Sequence, residues 1–192
     1  MCRFAQTTLP ATSHAPERAR TFVRRTCLDW DLDERKQALL DFTRRLVELR
    51  REHPNLRRRK FFQDRTIDPA TPQRQIDGRD EKDITWLRPD GGEMTPEEWN
   101  AGWVRCIGFQ LNGRTLDDVN HVGEPIRDET FLVLFNPHHE PIKFYMPPRT
   151  GTAWELLLDS RLPEDGAHPV IAAGEAYELI PRSTALLREL AD

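Results

Sequence analysis

The sequence predicts a mainly β chain, with a C-terminal antiparallel β-sandwich preceded by one long amphipathic helix. Three observations predict it. From residue 106 onward, short apolar runs of strand length alternate with Pro, Gly and Asn turns, the spacing of a sandwich. Upstream, Leu39, Phe42, Leu46 and Leu49 recur at three- and four-residue steps, which places them on one helix face. No other helix of comparable length lies near enough in sequence to cover that face. A chain of 192 residues suits one domain, or one and part of another. Its 15 Pro commit much of the length to loops.

Composition also excludes several classes. No run approaches the roughly 18 apolar residues of a membrane helix. A formal charge of -4 argues against a general nucleic-acid binder. Cys2, Cys27 and Cys106 are too few and too scattered for a disulfide framework or a zinc pattern. Met1 to Gln6 lacks an apolar signal segment, so a reducing cytoplasm is the expected compartment.

Taken in order, residues 1–27 show no period and are expected to be poorly ordered. Asp31 or Asp33 can cap the helix, whose stripe lies within the segment 28–62, and His53-Pro54 ends it. Residues 63–83 are polar and read as a loop or linker. The sandwich is expected over 84–192. Ile84 to Leu87 is a strand candidate, followed by the turn Pro89-Asp90-Gly91-Gly92. Thr95-Pro96-Glu97-Glu98 reads as a capping box with proline at the first helical position, starting a short turn that carries Trp99. Cys106 to Leu111 ends at Asn112-Gly113, a hairpin-type signal. Thr130 to Phe135 is the strongest strand, stopped by Asn136-Pro137. Ile142 to Met146, Ala153 to Leu158, Tyr177 to Ile180 and Ala185 to Arg188 complete the set.

Particular runs carry a closer likeness. Leu28-Asp29-Trp30 leads into the helix, and Leu39 to Leu46 continues through Leu49-Arg50-Arg51-Glu52-His53-Pro54 to Arg57-Arg58-Arg59-Lys60-Phe61-Phe62. Asp83 to Gly91, Glu93-Met94-Thr95, Trp99-Asn100, Leu111-Asn112-Gly113 and Leu134 to Glu140 follow in order. Over about residues 28–190 the chain resembles the C-terminal end of bacterial glycogen debranching enzymes of the isoamylase type, in the α-amylase superfamily. Residues 1–27 lie outside the likeness. The resemblance implies that the helix is a remnant of a (β/α)8 barrel. It further implies a retaining α-1,6-glycosidase acting on glycogen or branched α-glucan, with an aspartate nucleophile and a glutamate acid/base about 5–5.5 Å apart. Those carboxylates belong to barrel strands upstream of the matched segment, and a barrel needs roughly 250 residues. No catalytic residue, cofactor site or metal ligand is therefore assigned, and the chain is expected to be inactive alone.

Asp117-Asp118-Val119-Asn120-His121 is similar to a barrel motif of the amylases, but it follows a hairpin signal in a polar loop and is one residue short, so it reads as coincidence. His138-His139-Glu140 suggests metal, but neighbours on an extended segment face apart. Cys106 with His121 suggests a nucleophile and base, without supporting spacing. The basic run Arg57 to Lys60 reads as a solvated face. Trp86 and Trp154 are expected in the core. Trp99 and Trp103, beside a loop, are candidate carbohydrate contacts. The stripe of Leu39, Phe42, Leu46 and Leu49 is the candidate surface for self-association or for the missing barrel. A stand-alone carbohydrate-binding or interaction module remains the alternative, in which the helix would belong to the core.

Overall fold

A computed structural model describes residues 32–62, 82–102, 104–116, 118–148, 152–161 and 169–191. The expectations for residues 1–27, for Asp31 as a cap, for nearly all of the 63–83 segment, for Asp117 and for Trp103 lie outside the described residues. The chain divides into two compact units, Met1–Val47 and Glu48–Asp192.

Helix α1 spans Glu34–Glu52. Asp33 caps it, its Oδ1 accepting the Lys36 N–H at 2.8 Å and so satisfying a donor that the first turn leaves free. Arg50 and Arg51 lie in the last turn, where the helix dipole favours cations. As the sequence implies, His53 ends the helix in extended conformation, and Pro54 opens a 3-10 turn, Pro54–Arg57.

Among the described residues eight strands follow: β1 Ile84–Leu87, β2 Ile107–Leu111, β3 Phe131–Asn136, β4 Ile142–Tyr145, β5 Thr152–Asp159, β6 Val170–Ala172, β7 Ala176–Leu179 and β8 Ser183–Ala191. Six of them form one sheet in the order β1-β2-β3-β8-β5-β6, and β4 pairs with β7 in a second. All pairings are antiparallel. Leu132, Leu134, Phe144, Met146, Trp154, Leu156, Leu179 and Leu187 fill the core, with Cys106 among them. At about 25 cal/mol per Å² of apolar surface removed from water, such side chains supply the main driving force for the sandwich.

β3 is apolar on both faces for a reason. Leu132 and Leu134 point into that core, while Phe131 joins a second cluster with Leu49, Ile84, Leu111 and Leu186. The large sheet thus has an outer face, covered at one end by Leu49 of α1 and by Leu56. Exposure along the stripe is uneven. Leu49 is 3% exposed, whereas Leu39 is 66% and Leu46 41% exposed, and Phe42 is partly covered.

Two expectations need correction. Asn112-Gly113 does not make a two-residue hairpin. Asn112 Oδ1 instead accepts the Arg114 N–H (2.9 Å) and caps a 3-10 turn, Gly113–Thr115, so β2 reaches β3 only after the long loop that follows. Trp86 is not in the core between the sheets; it sits on the outer face of β1, packed against the second cluster. Trp154 is in the core as expected.

The run Leu156-Leu157-Leu158 contains a β-bulge. Leu156 pairs with Leu187 and Leu158 with Leu186, a shift of one residue in register. Without it Trp154, Leu156 and Leu158 would share one face. The slip instead turns Leu158 outward and Asp159 inward, where Asp159 Oδ2 accepts the Tyr177 hydroxyl at 2.7 Å. Burial first, and then that bond, push the Tyr177 phenol upward.

Candidate interaction face on the outer side of the sheet

The register of the large sheet aligns a row of outward apolar side chains. Trp86 stands opposite Phe109, Phe109 opposite Val133, Val133 opposite Leu186, and Leu186 opposite Leu158. Phe135, 47% exposed, extends the patch one step along β3. Trp99 reaches it from the loop after β1. Its ring meets Trp86 edge-on at 5.3 Å, and Trp86 lies 5.2 Å from Phe109. Edge-to-face and tilted geometries are the favourable ones for aromatic rings. Trp99 itself is 49% exposed.

The loop holds Trp99 through the capping signal. Glu98 Oε2 accepts the Thr95 N–H at 2.8 Å, and its Oε1 accepts from Arg88 at 2.7 Å. The turn that follows, Glu98–Asn100, is 3-10 rather than α. The Thr95 N–H, followed by Arg88, holds the Glu98 carboxyl below its usual range. A depressed carboxylate stabilises the folded turn above the unfolded-state pKa, and that contribution disappears as pH falls through the folded-state pKa. Acidification from neutral pH is therefore expected to change the part of the tryptophan emission that Trp99→Phe removes. Glu98→Gln should abolish the transition. An acid transition that persists unchanged in Glu98→Gln would refute this.

At the other end of the outer face lies a polar network that holds the end of α1. His53 Nδ1 pairs with Asp128 Oδ1 at 3.0 Å, and its ring sits edge-on to Phe131 at 4.8 Å. Buried Asn55 donates through Nδ2 to the carbonyls of Leu111 (3.0 Å) and Glu129 (2.9 Å), and its N–H donates to Asp128 Oδ2. Arg58 donates to Asn55 Oδ1 and to the Asn112 carbonyl at 2.6 Å. Burial lowers the Arg58 guanidinium, an effect opposed by Asp83, Asp118 and Asp128. The basic run is thus not a uniform solvated face: Arg58 is turned inward, while Arg57 and Arg59 stay exposed. Arg188 links two carboxylates on the same face, Glu155 at 3.0 Å from Nε and Glu129 at 3.0 Å from Nη1.

Asn120 Oδ1 accepts the N–H groups of Val122 and Glu124 in a surface turn, with His121 exposed beside it. Cys106 is buried in the core, where desolvation pushes its thiol up to about 11, the opposite of an activated nucleophile. His138 and His139 do not face apart, because the chain bends after Asn136 and the two rings lie 4.1 Å apart. The sequence singles out Asn136 only as a strand terminator and Arg188 only as a strand end, and leaves Asn55 unmarked. Their long-range partners, such as Leu111 and Glu129 for Asn55, Leu179 for Asn136 and Glu129 for Arg188, have no local signature.

The described residues thus form a helix followed by an antiparallel β-sandwich of six strands on two. Residues 83–187 match the family model "Isoamylase, C-terminal", and the chain belongs to that family. It is 34% identical over 164 residues to the "Glycogen operon protein GlgX homolog" of Mycobacterium tuberculosis, covering 84% of this chain and 22% of that protein. It is 25% identical over 134 residues to the isoamylase of Pseudomonas amyloderamosa, covering 69% and 14%. The glycogen debranching enzyme of Dickeya chrysanthemi is 36% identical over 93 residues, 48% of this chain and 12% of that one. Among solved structures, a pullulanase from Anoxybacillus sp. LM18-11 aligns with a TM-score of 0.45 at 13% identity, covering 84% of this chain and 16% of that one. The chain corresponds to a C-terminal portion of debranching enzymes of the isoamylase type and spans about a fifth of the length of the first of these relatives. No described helix is long and apolar enough to cross a membrane.

Proposed function

We propose that this chain is the non-catalytic C-terminal part of a cytoplasmic α-1,6-glucan debranching glycosidase acting on glycogen or branched α-glucan. Hydrolysis would reside on a (β/α)8 catalytic portion. The exposed leucines of α1 carry this reading. Leu39 and Leu46 present apolar surface directly upstream of a sandwich of the debranching type. A free module has no use for them, whereas the last helix of a barrel must bury them. The proposed occupant of that surface is the catalytic portion, in keeping with the fraction of its relatives that the chain spans. Leu49 is not part of the available surface, because it is already packed on Ile84, Leu111 and Phe131.

Two experiments test this. The purified chain is expected to release no reducing sugar from glycogen or from isoamylase-sensitive dextrins. Turnover that copurifies with the chain and is lost on mutating a residue within it would overturn the reading. Separately, Leu46→Asp should raise solubility without lowering the melting temperature of the β-domain, since an exposed apolar patch drives association. Leu49→Asp should destabilise by more than the roughly 1.5–3 kcal/mol of one buried leucine, because it also buries a charge. A well-behaved monomer melting much lower with Leu46→Asp would favour the autonomous module instead.

The half-exposed Trp99, braced by Trp86, supports a second reading, a carbohydrate-binding module using Trp99 and Trp103. It requires saturable binding of the isolated chain to glycogen that Trp99→Ala abolishes.

A further inference from the structure

The turn between β3 and β4 gathers three metal-ligating side chains that the proposed function leaves unused. His138, His139 and Glu140 follow one another there, and one ligand atom from each lies within 4.8 Å of the other two. Consecutive side chains part to opposite faces only where the chain is extended. Here it bends, and the two imidazoles rest against each other with planes at 38°. The backbone beneath them is fixed from both sides. The His138 N–H donates to Asn136 Oδ1 at 3.0 Å, and the His138 carbonyl accepts the Arg182 N–H at 3.0 Å. Asn136 is fully buried. The fold itself therefore orders the turn, and a ligand need only order side chains.

We infer that this turn is a surface site for a divalent transition-metal ion of the Zn2+, Ni2+ or Cu2+ type. One nitrogen from each histidine and one Glu140 oxygen would hold the ion, with water completing the shell. Imidazole nitrogens with a single carboxylate suit these borderline ions better than Mg2+ or Ca2+, which favour all-oxygen shells. Bonds of about 2.0–2.2 Å draw the three ligand atoms inward, a movement open to the exposed His139 and Glu140 side chains. Two contacts oppose it. His138 Nδ1 accepts the Glu140 N–H at 3.2 Å, and Arg105 Nη1 lies 3.9 Å from Glu140 Oε2. The first is a long hydrogen bond, and the second is an exposed ion pair of little strength. Together they make the site one of moderate, exchangeable affinity. Because Asn136 ties this turn to Leu179 and Ile180 at the end of β7, an ion bound only to the native state raises stability by mass action.

The test is calorimetric titration of the full chain with ZnCl2, and separately with NiCl2, with melting followed in parallel. The expected result is one saturable ion per chain and a raised melting temperature. His139→Ala and Glu140→Gln should each weaken binding by about tenfold or more, whereas His121→Ala, outside the turn, should leave it unchanged. Arg105→Ala, which frees Glu140, should tighten it. His139 and Glu140 are exposed, so an unchanged urea midpoint without metal verifies that these variants are folded. The inference is overturned if the wild-type chain shows no saturable binding, or if affinity survives the double substitution His138→Ala, His139→Ala.

Discussion

Asn136→Ala is expected to lower the stability of the β-domain by roughly 3–5 kcal/mol, a large share of the 5–15 kcal/mol that holds a typical domain together. Asn136 ends β3 with no solvent exposure. Its amide donates to the carbonyls of Glu140 (3.0 Å), Leu179 (3.1 Å) and Ile180 (3.1 Å), while its Oδ1 accepts the His138 N–H. One side chain thus closes the β3–β4 turn and fastens it to the end of β7. Truncation leaves carbonyls without their donor, each at about 1–3 kcal/mol where water cannot enter. Asn136→Asp should be worse, because a carboxylate would face three carbonyl oxygens. The neighbouring Phe135, 47% exposed on the opposite face, supplies the control: Phe135→Ser should cost far less. Urea unfolding decides the matter through a shifted midpoint at constant slope. Equal midpoints for the Asn136 and Phe135 variants would show that the network contributes little.

The same residue shows where sequence reading stops. Asn136-Pro137 was legible as a strand terminator, because asparagine and proline punctuate locally. That Asn136 also holds carbonyls 43 and 44 residues away has no local signature. The plan of the described strands was mostly visible because burial imposes a period. β3 could be read from its apolar run, and the helix from its stripe with Asp33 and Pro54 at the ends. β6 was missed because three residues, Val170–Ala172, are too few to show a period. The bulge in β5 was hidden for the opposite reason: three consecutive leucines fit either face, and only the register with Leu186 and Leu187 selects one. Arg58 looks no different from Arg57 or Arg59 in sequence, yet it alone meets Asn55 and the Asn112 carbonyl. On the candidate face, Trp99 was visible through the capping box that carries it. Its bracing partner Trp86 was expected in the core, because an apolar strand does not reveal which of its two covered faces a tryptophan takes.

Gly113→Ala is expected to be as damaging as any single methyl added to this domain. A Cβ at Gly113 would lie 2.1 Å from the backbone carbonyl oxygens of both Asp128 and Glu129. Neither atom is the end of a flexible side chain, so the relief must come from the backbone. That backbone is itself committed. The Gly113 carbonyl accepts the Asp128 N–H at 3.0 Å, and the Gly113 N–H meets Thr130 Oγ1 at 3.3 Å. Asp128 in turn holds His53 and the Asn55 N–H, and the Glu129 carbonyl accepts from Asn55 Nδ2. Moving 128–129 aside therefore loosens the 3-10 turn at Pro54–Arg57 and the end of α1 together. Overpacking typically costs about 1–3 kcal/mol; because several buried hydrogen bonds are lost with it, the expected loss is at or above about 3 kcal/mol. Gly102→Ala is the reference, since a Cβ there meets nothing within 4 Å, and it should be close to neutral. The downstream effect can be read separately. If the clash propagates through Asp128, then His53→Ala should cost much less in the Gly113→Ala background than in the wild type, because its partner has already moved. Strict additivity of the two substitutions would show that the chain absorbs the methyl locally and that Gly113 does not anchor the helix end.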